Sequence, residues 1–93
     1  MRDFMDVAED MARVALPKMS GDGKWMVEQF IDTADPYLAA DLILHAAVDG
    51  DVVIPSTLLR EVADEYRANP SPPDDPLAEY AEAALKTLLP AAA

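Results

Sequence analysis

Three polar side chains recur at four-residue spacing within an otherwise apolar stretch of the chain: Asp41, His45 and Asp49. Residues four apart share one face of an α-helix, so these groups could hold a metal ion or relay a proton. A metal site also needs ligands from a second element, and the sequence has no cysteine and only one histidine. The spacing therefore favours a simpler interpretation, in which the three residues form the solvated strip of a largely buried helix.

The chain also contains three pairs of adjacent carboxylates: Glu9-Asp10, Asp64-Glu65 and Asp74-Asp75. General acid–base catalysis requires two carboxyl groups in unlike environments within one cleft. These pairs are predicted to lie on helix surfaces or in a linker, where water keeps both members ionised. We therefore expect a non-enzymatic protein, with no catalytic residue, no cofactor and no metal.

The negative charge of the chain limits the kinds of molecule that it is expected to bind. The chain has 18 acidic and 7 basic residues, a formal net charge of −11, and the segment from Trp25 to Leu59 holds six acids and no lysine or arginine. Such a segment repels phosphates, which argues against direct binding of nucleic acid. It attracts a basic protein surface through long-range steering. The alternative is that acidic composition only keeps a small helical protein in solution.

Trp25 falls outside the apolar stripe of its predicted helix, beside Glu28 and Asp32. Tryptophan is a common anchor of protein interfaces. A residue in the first turn can instead fold back over the preceding loop, here toward Pro17 or Met19, and the sequence favours this buried placement. The sequence allows both an exposed and a buried placement of Trp25.

These observations predict an acidic module that docks on a basic protein, in the manner of an immunity protein, an antitoxin or a phage-encoded inhibitor. The candidate partner-binding residues are Trp25, Glu28, Asp32, Asp41, His45 and Asp49.

The elements that position these residues follow from apolar spacing. A first helix is predicted over 3–16, ending before Pro17, and a turn over 20–23 carries Asp22 as a plausible cap. A second helix is predicted over 24–34, with Met26, Val27, Phe30, Ile31 and Ala34 on its apolar stripe.

The third predicted helix starts at Asp35-Pro36, a capping side chain followed by a proline at the first helical position. It runs to Asp49 and closes at Gly50, which can take the left-handed conformation. Its surface is apolar around most of the circumference, which is typical of the central helix of a bundle.

Ser56 is predicted to cap a fourth helix, whose outer face carries Arg60, Glu61, Asp64, Glu65 and Arg67. A proline-rich linker over 70–76 leads to a fifth helix over 77–89. The predicted fold is an all-α compact bundle of about five short helices in one domain over 1–93. Residues 1–69 form its four-helix core.

The tethered fifth helix suggests a second function of a different class. It could complete its own core or cross to a neighbouring copy, giving a homodimer by exchange of the helix. The alternative is thus a small structural subunit that self-associates or fits into a larger assembly, such as a virion.

The expected location is the cytoplasm of a bacterium or of a phage-infected host. No secretory leader is recognisable, because Met1 leads into Arg2 and Asp3, and no apolar run approaches the ~20 residues of a membrane span.

Overall fold

Five α-helices make up most of the computed structural model, which describes residues 2–69 and 74–89. They are α1 Phe4–Ala15, α2 Gly21–Asp32, α3 Pro36–Val48, α4 Ser56–Ala68 and α5 Pro76–Leu88, with a 3-10 turn at Leu16–Lys18 after α1. The described residues contain no strand. The predicted all-α bundle is therefore confirmed. Of the predicted linker, residues 70–73 lie outside the described part of the chain.

The α3 helix lies at the centre, in contact with α1, α2 and α5. Its side chains at Ala39, Ala40, Ile43 and Leu44 are fully buried. The predicted start is confirmed, since the Asp35 carboxylate accepts a hydrogen bond from the backbone N–H of Leu38 at 3.3 Å. Its end is also as predicted, because Gly50 adopts a left-handed φ of 86°.

The α1 helix packs an apolar stripe against α3 and α4. Its buried positions are Phe4, Val7, Ala8, Met11, Ala12 and Ala15. Asp3 caps it by accepting a hydrogen bond from the backbone N–H of Met5 at 2.9 Å. The spacing of three and four between buried residues is what the sequence led us to expect.

The α2 helix begins three residues earlier than predicted, at Gly21 rather than Lys24. Asp22 is not a cap but a residue of the first turn, where the positive end of the helix dipole favours a carboxylate. The cap position belongs to Ser20, whose side chain makes no capping bond. Only Val27 of this helix is fully buried, and the predicted core residue Met26 is 37% exposed. The α2 helix is therefore a peripheral element with a broad outer face.

Two predictions about α4 are wrong. Pro55, not Ser56, occupies its N-cap, and no side chain caps the helix. Glu65, placed on the outer face from the sequence, is buried at 9% exposure. The α5 helix starts at Pro76, one residue before the predicted position, and packs against α3 and α4 of its own chain, through Ala81, Ala84 and Leu85.

None of the helices in the described residues combines the length and apolarity that crossing a membrane would require.

Candidate functional site

Asp41 is tied to α4 by a hydrogen bond. The Tyr66 hydroxyl donates to Asp41 Oδ1 at 2.5 Å. Burial raises the pKa of the Asp41 carboxyl above its ordinary value, and the bond from Tyr66 opposes that rise. Burial and the neighbouring carboxylate likewise raise the pKa of the Tyr66 phenol, so it remains the donor. Asp41 thus acts as a link between α3 and α4.

His45 is covered by α5. Its imidazole stacks on the ring of Tyr80, with centroids 3.8 Å apart and planes 7° from parallel. Asp49, one turn further, is exposed. The expected solvated strip is therefore wrong for Asp41 and His45, which are half-buried beneath neighbouring helices. Within residues 2–69 and 74–89 no group of three acidic, histidine or cysteine side chains is placed to hold a metal ion.

A second polar link joins α3 and α4. The Tyr37 hydroxyl donates to Glu65 Oε2 at 2.9 Å, and the amide of Asn69 donates to the same oxygen. Burial and the bond to Glu65 raise the pKa of the Tyr37 phenol. The sequence does not reveal this link, because a helical wheel places Glu65 on the charged outer face of α4. Only the pairing of α3 with α4 reveals the donor that satisfies it.

Three aromatic rings surround these two links. Phe4 lies 4.8 Å from Tyr37 and 6.1 Å from Tyr66 between ring centroids, and the two tyrosines are 6.2 Å apart. These separations are typical of favourable aromatic pairs. The cluster fixes the tyrosine rings and so aims both hydroxyls at their carboxylates.

Trp25 stands on the outer face of α2, with 62% of its surface exposed. It lies two positions before the buried Val27, about 200° around the helix at 100° per residue. The buried placement favoured from the sequence, over Pro17 or Met19, is therefore wrong. Because α2 starts at Gly21, Trp25 belongs to its second turn and projects away from the preceding loop.

Glu28 and Asp32 extend the same face. They follow Trp25 by three and seven residues, the spacing of one helical stripe, and both are exposed. We call Trp25, Glu28 and Asp32 the α2 outer face. The ion pairs among the described residues join Arg2 to Asp10 and Glu61, Arg13 to Asp10, and Arg67 to Asp64. All lie outside residues 25–59, so the carboxylates of this face are not neutralised by an ion pair within the described residues.

The remaining candidate, Asp49, lines a different feature. It borders an open cleft of about 400 Å³ between the Leu16–Lys18 turn, the start of α2 and the end of α3. His45 and Asp51 also line this cleft, together with Lys18, whereas no residue of the α2 outer face does. The structure therefore brings together three of the six predicted residues and separates Asp41, His45 and Asp49 from them.

No family model matches the chain, and no curated protein or solved structure matches it either. The function must be argued from the geometry above.

Removing the Tyr66 hydroxyl tests the link to Asp41. In Tyr66→Phe we expect the pKa of Asp41, already above its ordinary value, to rise further because the donor that favours the carboxylate is lost. NMR titration of the side-chain carboxyl measures it directly. Tyr37→Phe is the matched control, since its hydroxyl bonds Glu65, and should change the pKa of Asp41 much less. An unchanged value in Tyr66→Phe would contradict the link.

The same shift has a consequence for stability. A carboxyl whose folded pKa exceeds its unfolded value binds protons more readily in the folded state. The Asp41 carboxyl therefore contributes fully to stability below its unfolded pKa of 3.8. This contribution is lost as the pH rises through its pKa in the folded state. Relative to wild type, Tyr66→Phe should lose more stability between that acid range and neutral pH, as measured by urea unfolding.

Proposed function

We propose that this protein is a non-enzymatic, acidic binding module whose α2 outer face docks on a basic surface of another protein. The observation that carries the proposal is the 62% exposure of Trp25 at the N-terminal end of the α2 outer face, whose two carboxylates take part in none of the ion pairs among the described residues. A cytoplasmic protein of bacterial or phage origin, acting as an inhibitor, an immunity protein or an antitoxin, fits this proposal.

Trp25 supplies the apolar contact area. Exposed tryptophan is costly in water, and burying one side chain removes 150–250 Å² of surface, about the largest contribution that a single residue makes to an interface. Met26, the next residue, is also 37% exposed. An indole ring additionally attracts a lysine or arginine placed over its face. A basic partner therefore matches both the ring and its surroundings.

The negative charge of the α2 outer face would orient a basic partner and speed its approach. Glu28 and Asp32 follow Trp25 along the α2 outer face, within a chain of net charge −11. Complementary charge at the rim of an interface mainly accelerates association and rejects wrong partners, while the buried anchor sets the dissociation rate. The same negative charge repels the phosphate groups of nucleic acid, which argues against nucleic acid as a direct partner.

The test is a comparative pull-down from a lysate of the source cells, followed by kinetics on the captured protein. We expect Trp25→Ala to weaken binding at least tenfold, mainly through faster dissociation, as for an interface hot spot. Glu28→Lys with Asp32→Lys should slow association, and the effect should shrink as salt rises.

Two control variants test whether binding depends on the α2 outer face or on the charge and exposed apolar surface of the chain in general. Val53→Ala removes apolar surface at a residue that is 85% exposed and lies outside α2. Glu9→Lys reverses one exposed charge on α1. Both should retain the partner. A captured protein that is acidic, or that binds Trp25→Ala and the double charge reversal as tightly as wild type, would refute the proposal.

The alternative, a self-associating structural subunit, depends on α5 crossing to another copy. In the structure α5 covers its own α3 and α4, and exchange would reuse the same buried residues, Ala81, Ala84 and Leu85. Light scattering of the full chain distinguishes the two. A binding module that acts as a monomer gives 10.1 kDa, whereas twice this mass favours the subunit.

A further inference from the structure

We infer that a small cavity between α1 and α4 binds an alkylammonium group, such as the end of a lysine side chain or of a free diamine. The site is separate from the α2 outer face. Its basis is the carboxylate of Glu65, which lines a largely apolar cavity together with Arg2 and Glu61.

The cavity has a volume of about 210 Å³ and is lined by Arg2, Phe4, Val7, Glu61 and Glu65. Phe4 and Val7 are 6% and 3% exposed and give it an apolar wall. Drug-sized ligands occupy pockets of about 300–1,000 Å³, so this cavity suits only a short alkyl chain or a single side chain. Shape alone therefore selects a small ligand with an apolar stem.

Glu65 supplies the charge. It is buried at 9% exposure, and both donors described above, Tyr37 and Asn69, bind the same oxygen, Oε2. An ionised carboxylate can accept about four hydrogen bonds over its two oxygens. The other oxygen, Oε1, accepts none from the residues that the structure describes. Glu65 thus retains acceptor capacity beside an apolar cavity, where a charged donor binds more strongly than in water.

Arg2 lines this cavity and is the cation of the chain that competes for its carboxylates. Its guanidinium donates to Asp10 Oδ2 at 2.5 Å and to Glu61 Oε2 at 2.6 Å, bridging α1 and α4. It forms no ion pair with Glu65 in the described part of the chain, so the carboxylate at the cavity wall is not the one that it neutralises. The Arg2 side chain is 42% exposed, so a ligand at Glu65 does not require the Arg2 bonds to break.

An alkylammonium ion matches each of these features. Its methylene groups replace water against Phe4 and Val7, the Phe4 ring attracts the cation, and the ammonium donates to Glu65. Glu61, which also lines the cavity, adds a second carboxylate. A neutral alcohol of equal length would gain only the apolar contacts.

The experiment is an NMR titration of the full chain with butylammonium chloride, using butanol as the uncharged probe. We expect saturable shifts of the backbone amides of Phe4, Val7, Glu61 and Glu65 with butylammonium, and at least tenfold weaker binding of butanol. Glu65→Gln, which preserves an acceptor for Tyr37 and Asn69, should weaken butylammonium binding about tenfold or more. Asp32→Asn removes one charge elsewhere and should leave it unchanged.

Two further variants keep the test independent of how Glu65→Gln folds. Val7→Leu narrows the cavity by one methylene group while retaining every carboxylate, and should weaken butylammonium binding. Arg2→Gln removes the competing cation, and should tighten binding several-fold. A gain of affinity is not expected if Arg2 and Glu65 have structural roles alone.

The inference is overturned if the shifts do not saturate, if they spread over all exposed carboxylates, or if Glu65→Gln and Asp32→Asn bind alike. Comparing Nα-acetyl-lysine amide with 1,4-diaminobutane then separates the two sources of the ammonium group. Tighter binding of the lysine derivative identifies a protein side chain, and tighter binding of the diamine identifies a free amine. Neither result depends on Trp25, so this site and the proposed function can fail separately.

Discussion

The need to cover α3 on nearly every side determines the rest of the structure. This helix is apolar around most of its circumference, and no single neighbour can bury such a surface. Contacts from α1, α2 and α5 surround it, and Ala39, Ala40, Ile43 and Leu44 are removed completely from water. Small residues at several of these positions let the surrounding helices approach closely. The order of the helices around the bundle follows from this one requirement.

The polar residues of α3 must then be satisfied where neighbouring helices cover them. Tyr66 of α4 donates to Asp41, and Tyr80 of α5 covers the flat face of the His45 ring. A buried polar group left without a partner would cost about 1–3 kcal/mol, so the bond from Tyr66 allows Asp41 to lie half-buried beneath α4. A second hydrogen bond joins the same two helices in the opposite direction, because Tyr37 on α3 donates to Glu65 on α4. Residues that resemble a catalytic constellation in sequence are thus used to join helices.

The same arrangement explains the exposed acidic face. The α2 helix covers one side of α3 mainly with Val27, which leaves Trp25, Glu28 and Asp32 directed outward. The ion pairs among the described residues involve Arg2, Arg13 and Arg67, whereas the segment from residue 25 to residue 59 contains no lysine or arginine and takes part in none of these pairs. A large aromatic surface and unneutralised carboxylates therefore occur together. The proposed docking on a basic protein rests on this combination.

Sequence patterns predicted the helices whose ends carry local signals. Pro17, Asp35-Pro36 and Gly50 are signals that depend only on nearby residues, and the ends of α1, α3 and α5 were predicted to within one residue. The start of α2 was missed because glycines normally indicate a turn, yet Gly23 is tolerated inside its first turn. The burial of Glu65 depends on which helices become neighbours, and periodicity within one helix does not contain that information. Trp25 lies off the apolar stripe as the spacing indicated, but the missed start of α2 placed it in the first turn and led to the wrong expectation of burial.

Hydrogen exchange of the backbone amides tests the central role of α3 most directly. If covering α3 holds the bundle together, the amides of Ile43 and Leu44 should exchange only through global unfolding, with a protection free energy equal to that from urea denaturation. Those of α2 should exchange sooner, through local opening. Exchange of α3 before α2 and α5 would contradict the account, because the bundle would then be stable without its central helix.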